Sequence, residues 1–261
     1  MSDLRDALRR HLAQRTELGE TELFLECGST DALLTSVAGR SEPVRGPEPA
    51  TSSAPEATEE DLARRRETPD LPAEEIVRIG DLARLREVAL GCTRCRLAES
   101  RNQVVFGEGD PAAAVMVVGE APGAEEDRTG RPFVGRAGKM LDLLLRSIGF
   151  EREQVYICNV LKCRPPGNRN PRPDEVETCS PYLLRQVEMV APSAILACGT
   201  FAAQTLLETG TPIGKLRGTA HDYHGVPLVP TYHPAALLRN PAWVRLAWED
   251  AQRVRMLVDA G

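Results

Sequence analysis

Four short, largely apolar runs punctuate the chain beyond residue 110: Ala114 to Gly119, Val155 to Leu161, Ala194 to Cys198 and Leu228 to Thr231. A strand that is apolar on both faces must be covered on both faces, which is the habit of parallel strands and not of a half-wet antiparallel sheet. Helical spacing fills the intervals. Leu141, Leu144, Leu145 and Ile148 share one face, as do Tyr182, Leu183, Val187 and Val190, and Ala202 to Leu207 and Val244 to Val258 complete the set. Strands alternating with helices connect by right-handed crossovers. The expected fold is therefore α/β, a three-layer α/β/α sandwich around a central, mostly parallel four-stranded sheet. Such sheets bind ligands at the carboxyl ends of their strands, and the motifs of this chain fall there.

Ahead of the sheet the sequence changes character. Residues 1–38 read as an N-terminal helical extension, with Leu4, Leu8 and Leu12 at i, i+4 and i+8 among charges and a weaker pattern from Thr21 to Val37. Residues 39–75 are rich in Pro, Ala and Glu, cannot bury enough apolar surface to offset the entropy of ordering, and are expected to form a disordered linker. Residues 76–261 remain as one folded domain. No export signal or membrane span is expected. The first 20 residues are charged throughout, and the longest uncharged apolar stretch, Pro111 to Gly119, is far short of the ~20 residues a span needs. A soluble, monomeric, cytoplasmic protein follows, in which seven cysteines point to metal ligation or buried thiols and not to disulfides.

The formal charge of −6 divides unevenly. Residues 1–80 hold 10 Arg against 17 acidic groups, whereas residues 81–261 hold 22 basic against 21 acidic. The acidity thus belongs to the N-terminal third, and the remainder is compatible with a local basic face for nucleic acid.

Cys92 and Cys95 form a CxxC pair behind a helix, Cys163 follows the second strand, and Cys179 sits on the next helix. Four thiolates brought together suit tetrahedral zinc or a [4Fe–4S] cluster, and spacing does not choose between them. Cys158 and Cys198 lie inside apolar strands and read as core residues; Cys27 is uninformative.

Gly119-Glu120-Ala121-Pro122-Gly123 ends the first strand as a tight loop whose amides can approach a ligand, or as a plain strand-to-helix turn. Phe133, framed by Gly130 and Gly135, is either a loop anchor or a stacking platform for a planar ligand. Asn159 ends the second strand with one acceptor and two donors on a single plane. It can accept from a ring N–H of a planar heterocycle while donating to the neighbouring carbonyl oxygen; its bland role is a turn cap. The basic loop Lys162 to Arg169 is either a phosphate contact or solvated. His233 precedes Pro234 at the mouth of the fourth strand, held extended, and is structural or catalytic.

Taken in order, CTRC, GEAPGAEED, GRPFVGRAGKML, NVLKCRPPGNRNP, ETCSPYL and HPAALLRNP resemble the iron–sulfur-containing, thermostable branch (family 4) of the uracil-DNA glycosylases, over about Asp81 to Val258. The resemblance implies a [4Fe–4S] cluster on Cys92, Cys95, Cys163 and Cys179. It implies a uracil pocket of Gly119, Glu120, Ala121, Phe133, Asn159 and His233, with Glu126 (or Glu125) in the space a thymine methyl would need. His233 beside uracil O2 then stabilises charge as it develops on the base. The best-known branch carries an Asp where Ala121 stands, which leaves Glu120 as the candidate to position water. Arg164, Asn168, Arg169, Leu237, Leu238 and Arg239 are candidate DNA contacts, the two leucines as a wedge into the gap left by the flipped base or as part of the following helix. A related group with a second, covalently reacting histidine is disfavoured, because no histidine lies between Asn159 and Cys179.

The expected function is uracil excision from DNA by N-glycosidic hydrolysis in the cytoplasm, beside the bacterial nucleoid. The rivals are a non-catalytic iron–sulfur protein that binds uracil-containing DNA, and a zinc-braced α/β hydrolase acting on a nucleotide.

Overall fold

The computed structural model describes residues 70–260. The helical extension expected over 1–38 and most of the linker expected over 39–75 lie outside the described residues. The end of that linker is corrected. Helix α1 (Ala73–Ile76) falls within it, and Asp70 accepts hydrogen bonds from the amide (2.7 Å) and the hydroxyl of Thr93. Fully buried Ile76 then packs with Leu85, Val88 and Tyr182. One apolar anchor and one carboxylate acceptor order a stretch whose average composition reads as linker.

Helix α2 (Leu82–Gly91) starts where the Asp81 carboxylate accepts from Arg84 N at 2.8 Å, an N-cap that satisfies an otherwise orphaned donor. It delivers the chain to the CxxC turn. Strand β1 (Glu108–Gly109) then leads to β2 (Val115–Gly119), α3 (Ala124–Thr129), α4 (Arg136–Arg146), β3 (Tyr156–Asn159) and α5 (Pro173–Val190). The chain continues through β4 (Ala194–Cys198), α6 (Thr200–Leu206), α7 (Ile213–Leu216), β5 (His221–Tyr223), β6 (Val226–Thr231), α8 (Pro234–Arg239) and α9 (Val244–Ala260).

The sheet order is β1-β3-β2-β4-β6-β5. The four strands read from the sequence form its parallel centre, as expected. The two outer strands pair antiparallel and were not foreseen. They are only two and three residues long and carry no apolar run, so nothing in their composition marks them. Buried residues of the central strands alternate between two helical layers. Met116, Val118, Ile195 and Leu228 meet Leu183, Val187, Ala203 and Leu216 from α5, α6 and α7. Val117, Ile157, Leu196 and Val229 meet Leu141, Leu145 and Val254 from α4 and α9. That is the three-layer sandwich.

Register positions the site. Gly119 pairs with Asn159, and Cys198 with Thr231, so the turns after all four central strands open onto one edge. Pro230 fits a central strand because Thr231 O accepts from Gly199 N on the β4 side. By strand alternation Pro230 N faces the other way, where β5 already ends opposite Leu228. No described helix is long and apolar enough to cross a membrane.

Candidate functional site

Glycine makes the pocket possible. A Cβ on Gly119 would stand 2.3 Å from Asn159 Oδ1 and 2.6 Å from Phe133 Cζ, so only a bare α-carbon lets ring and carboxamide close over that point. Phe133 itself has φ +49°, a left-handed conformation that bulky side chains resist. Arg152 holds it there: its guanidinium donates to Phe133 O (3.1 Å) and Pro132 O and pairs with Glu108 (2.7 Å) and Asp142 (2.9 Å). The Phe133 ring then lies 5.7 Å from the His233 ring, planes 25° apart. Asn159 is buried, its carboxamide makes no hydrogen bond within the described residues, and it faces the same cavity of about 690 Å³ as Phe133 and His233. That volume falls within the roughly 300–1,000 Å³ of small-molecule sites.

His233 caps α8. Its Nδ1 accepts from Ala235 N at 3.1 Å, which leaves Nε2 to carry the proton and donate into the cavity. Burial, reinforced by the Arg239 cation and opposed by Glu126, pushes its pKa down to about 4. The imidazole is therefore neutral at physiological pH. Gly199 (φ +100°) allows the approach, since a Cβ there would meet His233 Cβ at 3.0 Å.

Two carboxylates line the cavity and differ in kind. Glu120 makes no hydrogen bond through its carboxyl group, and burial alone pushes its pKa up. Glu126 is pinned: Oε1 accepts from Val134 N (2.9 Å) and Gly135 N (3.0 Å), and Oε2 from Gly123 N (3.1 Å). It stitches the Gly123 turn to the Phe133 turn. Glu125, the alternative candidate, is exposed and pairs with Arg128, away from the cavity. Ala121 lines the wall, whereas Gly119 lies beneath it.

A second, smaller cavity is lined by Cys92, Cys95, Cys163 and Cys179 together with Arg101, Lys162 and Tyr182. The turns carrying these thiols are bound to one another. Pro181 lacks the N–H that Glu177 O would receive, and the Ser180 hydroxyl donates its O–H there instead at 3.0 Å. Arg94, inside the CxxC turn, donates to Thr178 O at 3.2 Å, beside Cys179. Arg101 donates to Cys163 Sγ (3.1 Å) and Cys92 O (2.7 Å). Burial pushes Cys163 up to about 11 and Cys179 up to about 12 even beside Arg101 and Lys162, so neither thiolate is favoured without further positive charge. Tyr182 Oη is buried with no hydrogen-bond partner and faces the same cavity. Among the described residues no three His, Cys, Asp or Glu side chains converge closely enough for a single metal ion.

Comparison with known proteins decides the family. The uracil DNA glycosylase superfamily model matches residues 106–252. A type-4 uracil-DNA glycosylase of Sulfurisphaera tokodaii is 43% identical over 185 residues, 67% of this chain and 84% of that protein. Another, of Thermotoga maritima, is 46% identical over 171 residues, 64% of this chain and 89% of that protein. A type-5 enzyme of Pyrobaculum aerophilum is 38% identical over 172 residues, 59% of this chain and 75% of that protein. The chain belongs to the type-4 uracil-DNA glycosylases.

Against that family assignment, the residues read as DNA contacts separate. Arg239 and Asn168 line the open cavity, and Arg164 stands near it, bonded to Asn168 Oδ1 at 2.8 Å. Leu238 is half-buried. Leu237 is corrected: it is buried with Leu144, Ile148, Ala247 and Ala251 and cannot wedge into a duplex without leaving the core. Arg169 also lines the cavity, while both its terminal nitrogens bind buried Glu175 (2.9 and 2.6 Å) and so brace the start of α5. Lys162, taken with that basic loop, is buried and reaches no phosphate.

Arg152 and Arg101 went unread, and Lys162 was grouped with the basic loop, because a basic residue in sequence gives no sign of its partners. Gly199 was legible in principle, being a glycine directly after an apolar strand, the same signal that marked Gly119.

Proposed function

We propose that this chain is a uracil-DNA glycosylase that takes an everted uracil into the cavity between Phe133, Asn159 and His233 and hydrolyses its N-glycosidic bond. Free uracil and an abasic site are the products. The observation that carries the reading is the convergence of a phenyl face, an unsatisfied carboxamide and a neutral imidazole donor on one cavity, in a chain of this family.

Each role follows from its geometry. A base inside a duplex is out of reach, so it must flip, and uracil mispaired with guanine does so at lower cost. The Phe133 ring offers the flipped pyrimidine a stacking face. The Asn159 carboxamide, without a protein partner, accepts from N3–H and donates to O4. Bond cleavage puts negative charge on the uracil ring and leaves the sugar oxocarbenium-like. A neutral His233 with its proton on Nε2 donates to O2 as that charge grows, a preorganised contact of the oxyanion-hole type. The Glu120 carboxylate, free of hydrogen bonds and raised in proton affinity, orients the water that adds to the sugar. The Glu126 carboxylate cannot swing aside, being fixed by three amides, and excludes the thymine methyl. Arg164, Asn168 and Arg239 contact the DNA backbone at the rim. Product leaves by turnover, because among the described residues no second histidine lines the cavity to trap the sugar.

We further assign Cys92, Cys95, Cys163 and Cys179 to a [4Fe–4S] cluster. The donor set suits it. A cluster spreads four thiolates over four irons, in keeping with thiols that share a cavity without converging on one ion. Its negative charge would meet the Arg101 donor, and its sulfur would give the orphaned Tyr182 hydroxyl an acceptor. When bound, the cluster supplies a structural brace between the CxxC turn and the loop after β3.

The deciding experiment incubates the full chain with a labelled single strand bearing one uracil, followed by alkali. Cleavage at the uracil is expected. An intact strand under all conditions eliminates the hydrolase and leaves a uracil-DNA-binding protein.

A further inference from the structure

We propose that Lys162 is a positioning residue that holds Asn159 for base reading and ties it to the cysteine cavity; the inference rests on the uracil-reading role given to Asn159 above. Lys162 is 2% exposed, deep for an ammonium group. Its Nζ donates to Asn159 O at 2.7 Å and to Gln186 Oε1 at 2.5 Å, both uncharged oxygens. Its backbone N donates to Cys179 Sγ at 3.4 Å, and its carbonyl accepts from Val105 N at 2.8 Å. The next residue is Cys163. One side chain thus grips the residue that reads the base, while its own backbone is bound to one cysteine and bonded to another.

Helix α5 provides both anchor points. Cys179 and Gln186 lie seven residues apart, two turns of one face, and between them they receive the backbone N–H and the ammonium of Lys162. Gln186 is fully buried and held in turn, its Nε2 donating to Phe106 O (2.9 Å) and Tyr156 Oη (3.0 Å). The path from α5 to Asn159 is therefore a chain of satisfied buried hydrogen bonds, in which each broken member leaves another polar group unpaired. Among the described residues the other backbone links at Asn159 are its strand pairing with Gly119 and the bond from Val160 N to Gly119 O (2.9 Å), and its carboxamide, which makes no hydrogen bond, takes its aim from that backbone.

The test is a double-mutant cycle in the full chain with Lys162→Met, Asn159→Ala and the pair, measuring kcat/KM for uracil release together with iron per chain and visible absorbance. Lys162→Met is expected to lower kcat/KM about 10- to 100-fold, the scale of a misplaced positioning group, with iron content unchanged. The double variant is expected to be no worse than Asn159→Ala alone, since there is then no carboxamide left to misplace. Losses that multiply overturn the proposal, and so does loss of iron from Lys162→Met, which would assign the residue to the cluster. Should Lys162→Met fail to fold, Gln186→Met removes one acceptor and keeps the lysine. Its loss must likewise vanish in the Asn159→Ala background. A wild-type protein that releases no uracil refutes the function itself and not this proposal.

Discussion

The carbonyl of Phe133 lies over the α-carbon of Gly138, so closely that a Cβ on residue 138 would fall 1.7 Å from the oxygen. The turn that presents the phenyl ring and the first turn of α4 therefore share a space only glycine permits. In an ordinary helix Gly→Ala stabilises by roughly 1 kcal/mol. Here Gly138→Ala is expected to act the other way, lowering the thermal midpoint and displacing the Phe133 turn, with uracil release down at least about 100-fold. Titrated activity and melting curves check it. A stabilised, fully active variant would show that the turn is not held by this contact.

His233 carries a signature in pH. Its folded pKa is about 4, against about 6.5 in an unfolded chain, so the unfolded chain takes up the proton first. Its contribution to stability is whole above about pH 6.5 and drains away as pH falls toward 4. Protonation also removes the Nδ1 lone pair that receives Ala235 N–H, so kcat/KM is expected to hold until the acid limb near pH 4. His233→Ala is expected to lower kcat about 100- to 1,000-fold with little change in DNA affinity, because its contact strengthens only in the transition state. Equal losses of turnover and affinity would remove that role.

Asn159→Asp replaces two donors with a second acceptor at a buried site. The variant is expected to release uracil far more slowly and to lose its preference for uracil over cytosine, since a carboxylate cannot donate to O4. Competition between uracil- and cytosine-containing strands reads this directly. An unchanged ratio would take Asn159 out of base reading.

Cys179→Ser tests the cysteine cavity. Loss of one of four ligands is expected to strip the iron, bleach the visible absorbance and lower the thermal midpoint, because the CxxC turn, α5 and the loop after β3 would then be held only by links such as Arg94 to Thr178 O. A colourless wild type with stoichiometric zinc would replace the cluster with a single metal.

Much of this molecule could be read from the chain. The apolar runs at Val115–Gly119 and Ala194–Cys198 show parallel strands because burial on both faces leaves its mark residue by residue. Gly119, Asn159 and His233 stood out because each lies at or just behind the end of such a run, and Phe133 because glycines frame it. The arrangement of those turns was another matter. The pairing of Gly119 with Asn159, the grip of Arg152 on Phe133 O, the three amides on Glu126 and the reach of Lys162 to Asn159 O all depend on which strand lies beside which. Leu237 shows the same division: its pattern allowed a wedge or a core residue, and the packing of α8 against α4 and α9 chose the core. Sequence periodicity records what each residue needs from its surroundings, whereas the partner that meets the need is supplied by residues distant in the chain, and only the folded sheet brings them within bonding distance.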